Sequence, residues 1–294
     1  MSKPNFPTFS IDHLAANKSD NGLLNADRFS EYLSGNPHLH SVHRHSFYHL
    51  LYFTEGKGEH LIDFVKFPVK RGMIYFMKPG QVHGWNFTGN VDGYIINFSP
   101  TLLDQLLLSS NLLDQFVFFG SDVEKQVLVL PRHVQEKVVQ IFEEIVGEQS
   151  AQKTHSQMMI ASLMLQLFLI ISRSAASKRE GATSPTYNSV ILSNFEKLIE
   201  ENYKRLKLPK EYAGLLYITP NHLNALCKDV LGISAGEMIR NRIVLEAKRL
   251  LVNFKLSISE IAAELNFKDN SYFVKFFKKY TKTTPEQFRK LHYT

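Results

Sequence analysis

The stretch KLSISEIAAELNFKDNSYFVKFFKKYTKTTPEQFRKLH, from Lys255 to His292, leaves the last third of the chain little choice of fold. Ser257 followed three residues later by Glu260 is a capping box, and it predicts a helix that carries Ile258, Ile261, Ala262 and Leu265 inward. Asn266 stops that helix, because asparagine tolerates the left-handed backbone that a sharp turn requires. Asp269 or Asn270 then caps a second helix. Phe273, Phe276, Phe277 and Tyr280 are predicted to be its buried side, with Asn270, Ser271, Val274, Lys275 and Lys278 facing outward. Thr284, Pro285 and Gln287 supply the cap, the first-turn proline and the N3 glutamine of a closing helix.

A similar arrangement stands upstream. Ile191, Phe195, Leu198 and Ile199 mark an opening helix, and Pro209 starts a short one carrying Tyr212, Ala213, Leu215 and Leu216. After a turn at Ile218, Thr219 caps and Pro220 begins a third helix that ends at Gly232. Leu223, Leu226 and Cys227 point inward there, so Asn221, Asn224, Ala225 and Lys228 lie outward. Between the two halves, Ser234 and Glu237 form another capping box and open a helix through Asn253, with Ile239, Ile243, Ala247 and Leu250 on one face. Such a helix is roughly 28 Å long, close to the roughly 34 Å between successive major-groove faces of DNA. One chain could therefore engage two adjacent groove segments.

An exposed helix face that is small and polar at its start and basic at its end suits a major groove. Asn221, Asn224, Asn270 and Ser271 are the candidates for base edges, Val274 for a thymine methyl and Lys275 for guanine. Lys228, Lys278, Lys279 and Lys282, with the helix N-termini, are the candidates for phosphates. On pattern alone the alternative is a small helical bundle whose lysines face water. The charge balance favours a DNA module: residues 189–294 hold 18 Lys and Arg against 11 Asp and Glu, while residues 1–188 hold 16 against 17.

The stretch SISEIAAELNFKDNSYFVKFFKKYTKTTPEQFRK resembles the second helix-turn-helix of the AraC/XylS family of bacterial transcription regulators. Asn266 stands where that family usually has glycine. The upstream half resembles the family's first helix-turn-helix less closely, with Ala225 and Cys227 where a long polar residue and phenylalanine are usual, so that half is expected to bind mainly through backbone contacts. The resemblance implies a cupin-like sensing barrel upstream and a small effector inside it, lined by His45, His49, Tyr75, His83 and Trp85.

The upstream sequence is read independently of that resemblance. Thr8 to Leu14 is a possible strand, and AANKSDNGLLNADR a polar loop or arm. From His38 to Phe98, short apolar or alternating runs are separated by EGKG, VKRG, KPGQ and TGN turns, the pattern of a compact barrel or sandwich. Helical patterns follow in SPTLLDQLLLSSNLLDQFVFFG, PRHVQEKVVQIFEEIVGEQ and HSQMMIASLMLQLFLIISR. The second repeats Val134, Val138, Ile141 and Ile145, and the third is apolar on most sides. These two helices either form a dimer surface or only cover the barrel. Residues 174–188 read as a linker.

His43, His45 and His49 share strand parity and His83 follows a Pro-Gly turn, so all could face the barrel interior. Inward histidines at such spacing bind a divalent metal if a fourth group converges. They resemble the two cupin motifs, with His49 at the position of the usual glutamate, whereas the sensing domains of the family carry no metal as a rule. A set of satisfied or ligand-contacting histidines is the competing reading, and no metal or cofactor is assigned.

The expectations are therefore an α+β chain with a cupin-like barrel and dimerising helices over 1–173, a linker over 174–188, and an all-α double helix-turn-helix domain over 189–294. Its partners are double-stranded DNA, a small effector and a second copy of itself. The single cysteine, Cys227, and an N-terminus without an apolar signal core place it in the cytoplasm. The run Met158 to Ile171 is read as too short to span a bilayer. A sequence-specific regulator without enzymatic activity is the leading reading. The alternative is a metal-dependent cupin enzyme fused to a DNA module, and a nonspecific architectural DNA binder is a third class.

Overall fold

The computed structural model describes residues 8–14, 22–107, 112–176 and 187–292. The chain divides into two compact units, one ending at Ala182 and the other beginning at Thr183.

Among the described residues the first unit holds ten strands: β1 (Thr8–Phe9), β2 (Leu24–Arg28), β3 (His43–His45), β4 (Tyr48–Glu55), β5 (Gly58–Ile62), β6 (Val65–Val69), β7 (Met73–Met77), β8 (Val82–Phe87), β9 (Asp92–Phe98) and β10 (Val127–Val129). They form two five-stranded sheets, in the orders β1-β3-β8-β5-β6 and β10-β7-β4-β9-β2. The second sheet is buried on both faces. Leu51, Phe53, Tyr75, Met77 and Ile95 share a core with Ile62 and Val69 of the first sheet and with Phe29 and Tyr32 of helix α1 (Phe29–Gly35). Leu50, Tyr52, Ile74, Phe76, Tyr94, Ile96 and Phe98 pack instead with the later helices. Two apolar faces explain why these strands read as continuous runs such as MIYFM.

Those helices are α2 (Leu102–Leu107), α3 (Arg132–Ala151) and α4 (Ser156–Ala176). Val134, Val138, Ile141 and Ile145 of α3 are buried, as their spacing predicts. In α4 the buried side is Ile160, Ala161, Met164, Leu167, Phe168 and Ile171, and Met158, Met159 and Leu169 remain exposed. The apolar run lies within a 21-residue helix, longer than its sequence indicated. By length and composition Ser156–Ala175 is able to cross a membrane; here one side of it is core.

Several expectations fail in this unit. Thr8 to Leu14 is a two-residue strand followed by a 3-10 turn at Ile11–His13. Part of the supposed polar arm is strand β2, whose Leu24, Asn25 and Ala26 are buried against β9, with the Ala26 amide donating to Gln149 of α3 at 2.7 Å. The polar letters misled because β2 is an edge strand whose outer amide is covered by a helix side chain. The single helix expected after Ser99 is α2 and two 3-10 turns, Leu113–Gln115 and Val117–Phe119, with 108–111 outside the described residues. Residues 15–21 and the middle of the expected linker, 177–186, also lie outside them.

In the second unit the described elements are all helices: α5 (Tyr187–Asn202), α6 (Pro209–Leu215), α7 (Pro220–Leu231), α8 (Ala235–Leu251), α9 (Ile258–Glu264), α10 (Asn270–Thr281) and α11 (Pro285–Leu291). Helix α8 packs against α5, α6, α7, α9, α10 and α11, which is why it buries residues on more than one side. Its Arg242 pairs with Glu200 of α5 at 2.9 Å and with Glu246 at 3.0 Å, and stacks on the Tyr203 ring at 3.9 Å. Seventeen helical residues make α8 about 26 Å long, slightly shorter than its pattern indicated.

Candidate functional site

The two halves of the helical unit are built on one plan. Helices α6 and α9 each have seven residues, and α7 and α10 each have twelve. Between the members of each pair the chain turns through one left-handed residue, Tyr217 (φ 55°) in the first and Asn266 (φ 54°) in the second. Thr219 then caps α7 by accepting from the His222 amide, and Asp269 caps α10 by accepting from Ser271 and Tyr272. Each twelve-residue helix ends on a left-handed residue, Gly232 (φ 72°) or Lys282 (φ 66°). A new N-cap follows two residues later, Ser234 or Thr284. Reciprocal capping boxes form at Ser257–Glu260 and Thr284–Gln287.

On α10, Asn270, Ser271, Lys275, Lys278 and Lys279 are exposed, Val274 is half-buried beside them, and Lys282 continues the same face. Phe273 and Phe277 are buried; Phe276 is half-buried and Tyr280 is exposed, a correction to the expected apolar side. The turn residue Phe267 packs on Phe273 and Phe276, with ring centroids 5.2 Å from each, while Tyr280 lies at the edge of the core, its ring centroid 5.0 Å from that of Phe276. Tyr272, 60% exposed at the start of α10, stands beside these residues and is not among the candidates that the sequence pattern offers.

On α7, Asn221, Ala225 and Lys228 are exposed, but Asn224 is half-buried. Its Oδ1 accepts from the Ala235 amide at 3.0 Å, tying α7 to the first turn of α8. The side chain expected at a base edge is therefore engaged as a second cap.

In the barrel, five histidines from four strands converge. His43 and His45 come from β3, His49 from β4, His60 from β5 and His83 from β8, and all are buried. Register places them: His43 pairs with His83 across β3 and β8, His60 with Trp85 across β5 and β8, and His49 with Asn97 across β4 and β9. Nε2 of His45 is 3.2 Å from Nε2 of His43 and 2.8 Å from Nε2 of His83. His49 holds Asn97 Oδ1 through Nδ1 at 2.7 Å. Burial is the main force holding His45, His60 and His83 well below the usual imidazole range, with their histidine neighbours adding to it. Burial likewise pushes His49 down to about 3. These rings are neutral at pH 7, the form that ligates metals and accepts hydrogen bonds.

The other two residues expected in the barrel are also there. Tyr75 is buried with its ring centroid 4.9 Å from that of His60, and its hydroxyl donates to the Pro68 carbonyl. Trp85 is half-buried, and its ring centroid is 5.1 Å from that of His83. Among the histidines and Trp85, four buried nitrogens have no hydrogen-bond partner among the described residues: Nδ1 of His45, Nε2 of His49, Nδ1 of His60 and Nε1 of Trp85. A cavity of about 290 Å³ opens elsewhere, at the α3–α4 turn, between Leu24, Leu102, Gln149, Lys153, Ser156 and Ile160. None of the five expected effector residues lines it.

Residues 30–168 match the family model described as the AraC-like ligand binding domain, and residues 212–291 match that of a helix-turn-helix domain. The chain belongs to the AraC/XylS family of transcription regulators. It is 24% identical over 261 residues to the HTH-type transcriptional regulator YfiF of Bacillus subtilis, covering 85% of this chain and 79% of that one. Against the HTH-type transcriptional activator RhaR of Cronobacter sakazakii it is 22% identical over 271 residues, with 90% and 89% covered. Among solved structures, ToxT from Vibrio cholerae matches 92% of this chain and 98% of its own at 14% identity and a TM-score of 0.44. The C-terminal domain of the response regulator yesN from Fusobacterium nucleatum matches 34% of this chain and 99% of its own at 29% identity and a TM-score of 0.32.

This AraC/XylS chain is thus a DNA-binding regulator with an effector-responsive N-terminal domain. One member of the histidine cluster, His60, and the anchor of His49, Asn97, are absent from the sequence reading. His60 alternates with Ile62 on a strand bounded by glycine and a turn, a parity signal that was available, whereas Asn97 is reached only through the pairing of β4 with β9.

Proposed function

We propose that the chain binds two consecutive major-groove segments of one operator through α7 and α10, and that a ligand taken into the histidine-lined barrel sets its affinity for that operator. The observation that carries the reading is the shared plan of the two halves: two twelve-residue helices of the same capping geometry, each with an exposed polar and basic face. Asn221, Asn270, Ser271, Val274 and Lys275 read bases, and Lys228, Lys278, Lys279 and Lys282 meet phosphates. Asn224 is assigned to holding α7 against α8 rather than to a base.

The effector site comprises His45, His49, Tyr75, His83 and Trp85, joined by His43 and His60. The exposed Met158 and Leu169 on the outer side of α4 support a homodimer formed along that helix. Residues 1–173 then form the sensing and dimerising domain, 174–188 the linker and 189–294 the DNA-binding domain. The protein acts in the cytoplasm, and the barrel binds its ligand without transforming it.

The test is a selection from randomised duplex DNA with the full chain at moderate salt. A consensus of two boxes spaced by about one helical turn is expected. Recovery of sequences with no common element sinks the reading.

A further inference from the structure

We propose that His43, His45 and His83 bind a late first-row divalent cation of the Zn²⁺ class, and that this ion is the ligand the barrel senses. The metal site stands on geometry alone, and the sensing role rests on the function proposed above.

The three ligand atoms all lie within 4.8 Å of one another. Nε2 of His45 is 3.2 Å from that of His43 and 2.8 Å from that of His83. Imidazole nitrogens at about 2.0–2.1 Å from a tetrahedral zinc stand about 3.3 Å apart, so a small adjustment admits the ion.

The proton inventory points the same way. Nδ1 of His43 is 2.7 Å from the Ser41 carbonyl oxygen, and a carbonyl only accepts. In its neutral form, His43 carries its proton there and turns a lone pair inward on Nε2. The contact with His43 is then a hydrogen bond only if His45 donates from Nε2. That single N–H cannot also be aimed at His83, and a proton on Nε2 of His83 would face it. With His43 neutral, no arrangement of protons turns both contacts into good hydrogen bonds, whereas one cation uses all three lone pairs.

The surroundings orient the ligands as metal sites do. Ser41 holds the far side of His43, and Nε2 of His60 lies 3.2 Å from Nδ1 of His83. His49 stands next to the three ligands. Its Nδ1 is fixed on Asn97, whose own amide donates to Asn25 at 2.8 Å, and its Nε2 is buried without a partner among the described residues. The His49 ring centroid is 5.1 Å from that of His45 and 5.2 Å from that of His83.

Donor chemistry sets the class of ion. Neutral nitrogens without a carboxylate in the set favour Zn²⁺, Ni²⁺, Co²⁺ or Cu²⁺ over Mg²⁺ or Ca²⁺. Space argues for an ion over an organic molecule, because the rings of His43 and His83 are 4.2 Å apart between centroids and those of His43 and His45 4.7 Å. No sugar or aromatic ring fits between them.

The test uses the full chain, stripped with a chelator and titrated calorimetrically with ZnCl₂ alone, with Co²⁺ absorption as a second readout. One equivalent is expected to bind, and His45→Gln and His83→Gln each weaken binding by about 100-fold or more. His133→Gln, on the exposed side of α3, leaves it unchanged. Near-UV circular dichroism establishes that each variant is folded, and His43→Gln replaces any that is not. Uptake below about a tenth of an equivalent by the unaltered chain, or folded variants that bind as it does, overturns the metal site.

Operator affinity measured with and without Zn²⁺ separates the two halves of the proposal. A change of about ten-fold or more that His83→Gln abolishes supports sensing of the ion. Binding of Zn²⁺ with no change in affinity overturns the sensing role and leaves the metal site. A metabolite that shifts operator binding in a His83-dependent way, with no metal bound, overturns the metal and leaves the effector reading intact.

Discussion

Nζ of Lys207 donates to the carbonyl oxygen of Asn266, 2.9 Å away, and to that of Leu265 at 2.8 Å. Lys207 precedes α6, so a cation from the first helix-turn-helix closes the last turn of α9 in the second. It also sits over the Phe267 ring at 3.7 Å. Helix C-termini concentrate partial negative charge on unpaired carbonyls. Lys207→Ala is expected to cost about 1–2 kcal/mol in urea denaturation and to weaken protection of the second operator box more than the first. Equal weakening of both boxes would show that this contact does not position α9.

Lys275 lies one turn into α10 on its exposed face, where a long cation reaches a guanine edge. Lys275→Ala is expected to cost about 1–3 kcal/mol on the selected operator and much less on random DNA. Comparison of the two affinities at one salt concentration checks it. Equal losses reassign the residue to a phosphate.

Lys282 combines two demands that a substitution can separate. Its backbone is left-handed (φ 66°), a conformation that costs a side-chain-bearing residue about 1 kcal/mol, and glycine serves the same position at Gly232. Lys282→Gly is expected to raise the melting temperature while weakening binding to every sequence and lowering the salt slope by about 1. A variant that melts lower and binds as before would contradict both assignments.

Asn224→Ala tests the reassignment of that residue. Loss of the bond to the Ala235 amide is expected to cost about 0.5–2 kcal/mol of stability, as loss of a cap does. The preferred operator sequence should stay the same. A changed base preference in a repeat selection would restore Asn224 to the recognition surface.

The histidine cluster makes the barrel sensitive to acid. Unfolded imidazoles titrate near pH 6.5, whereas burial above all holds His45, His60 and His83 lower and His49 at about 3. Unfolding below pH 6.5 therefore takes up protons, so the stability is full above that value and falls as the pH drops toward 3. Each histidine contributes a slope of up to about 1.4 kcal/mol per pH unit. Trp85, the single tryptophan, reports on this unit alone. Its emission should give a lower urea midpoint at pH 5.0 than at pH 7.5 in chelator. Identical midpoints would mean that the cluster is not held neutral.

The helical unit was largely legible because its boundaries are written in short-range chemistry. Thr219, Ser257, Asp269 and Thr284 cap the helices that their positions announced, and Asn266 takes the left-handed turn. What was not legible there depends on contacts from other elements, as with the Phe267 ring packed on Phe273 and Phe276 and the Ala235 amide donating to Asn224. The barrel was legible as a class but not in its pairing. Strand β2 hides among polar letters because α3 completes its edge, and the helix expected after Ser99 is broken into turns around Phe116, Phe118 and Phe119, which fill the core beneath α4. In the candidate site, parity brought His43, His45 and His49 together. No local pattern announces that Asn97 stands behind His49, since that follows from long-range register.

Strand β4 carries His49, Leu51 and Phe53 toward the inner core and Leu50 and Tyr52 toward α3 and α4. A load on His49 thus reaches the helix layer after a single peptide bond, with no hinge or loop to absorb it. The wall between the histidine cluster and the helices is a single sheet.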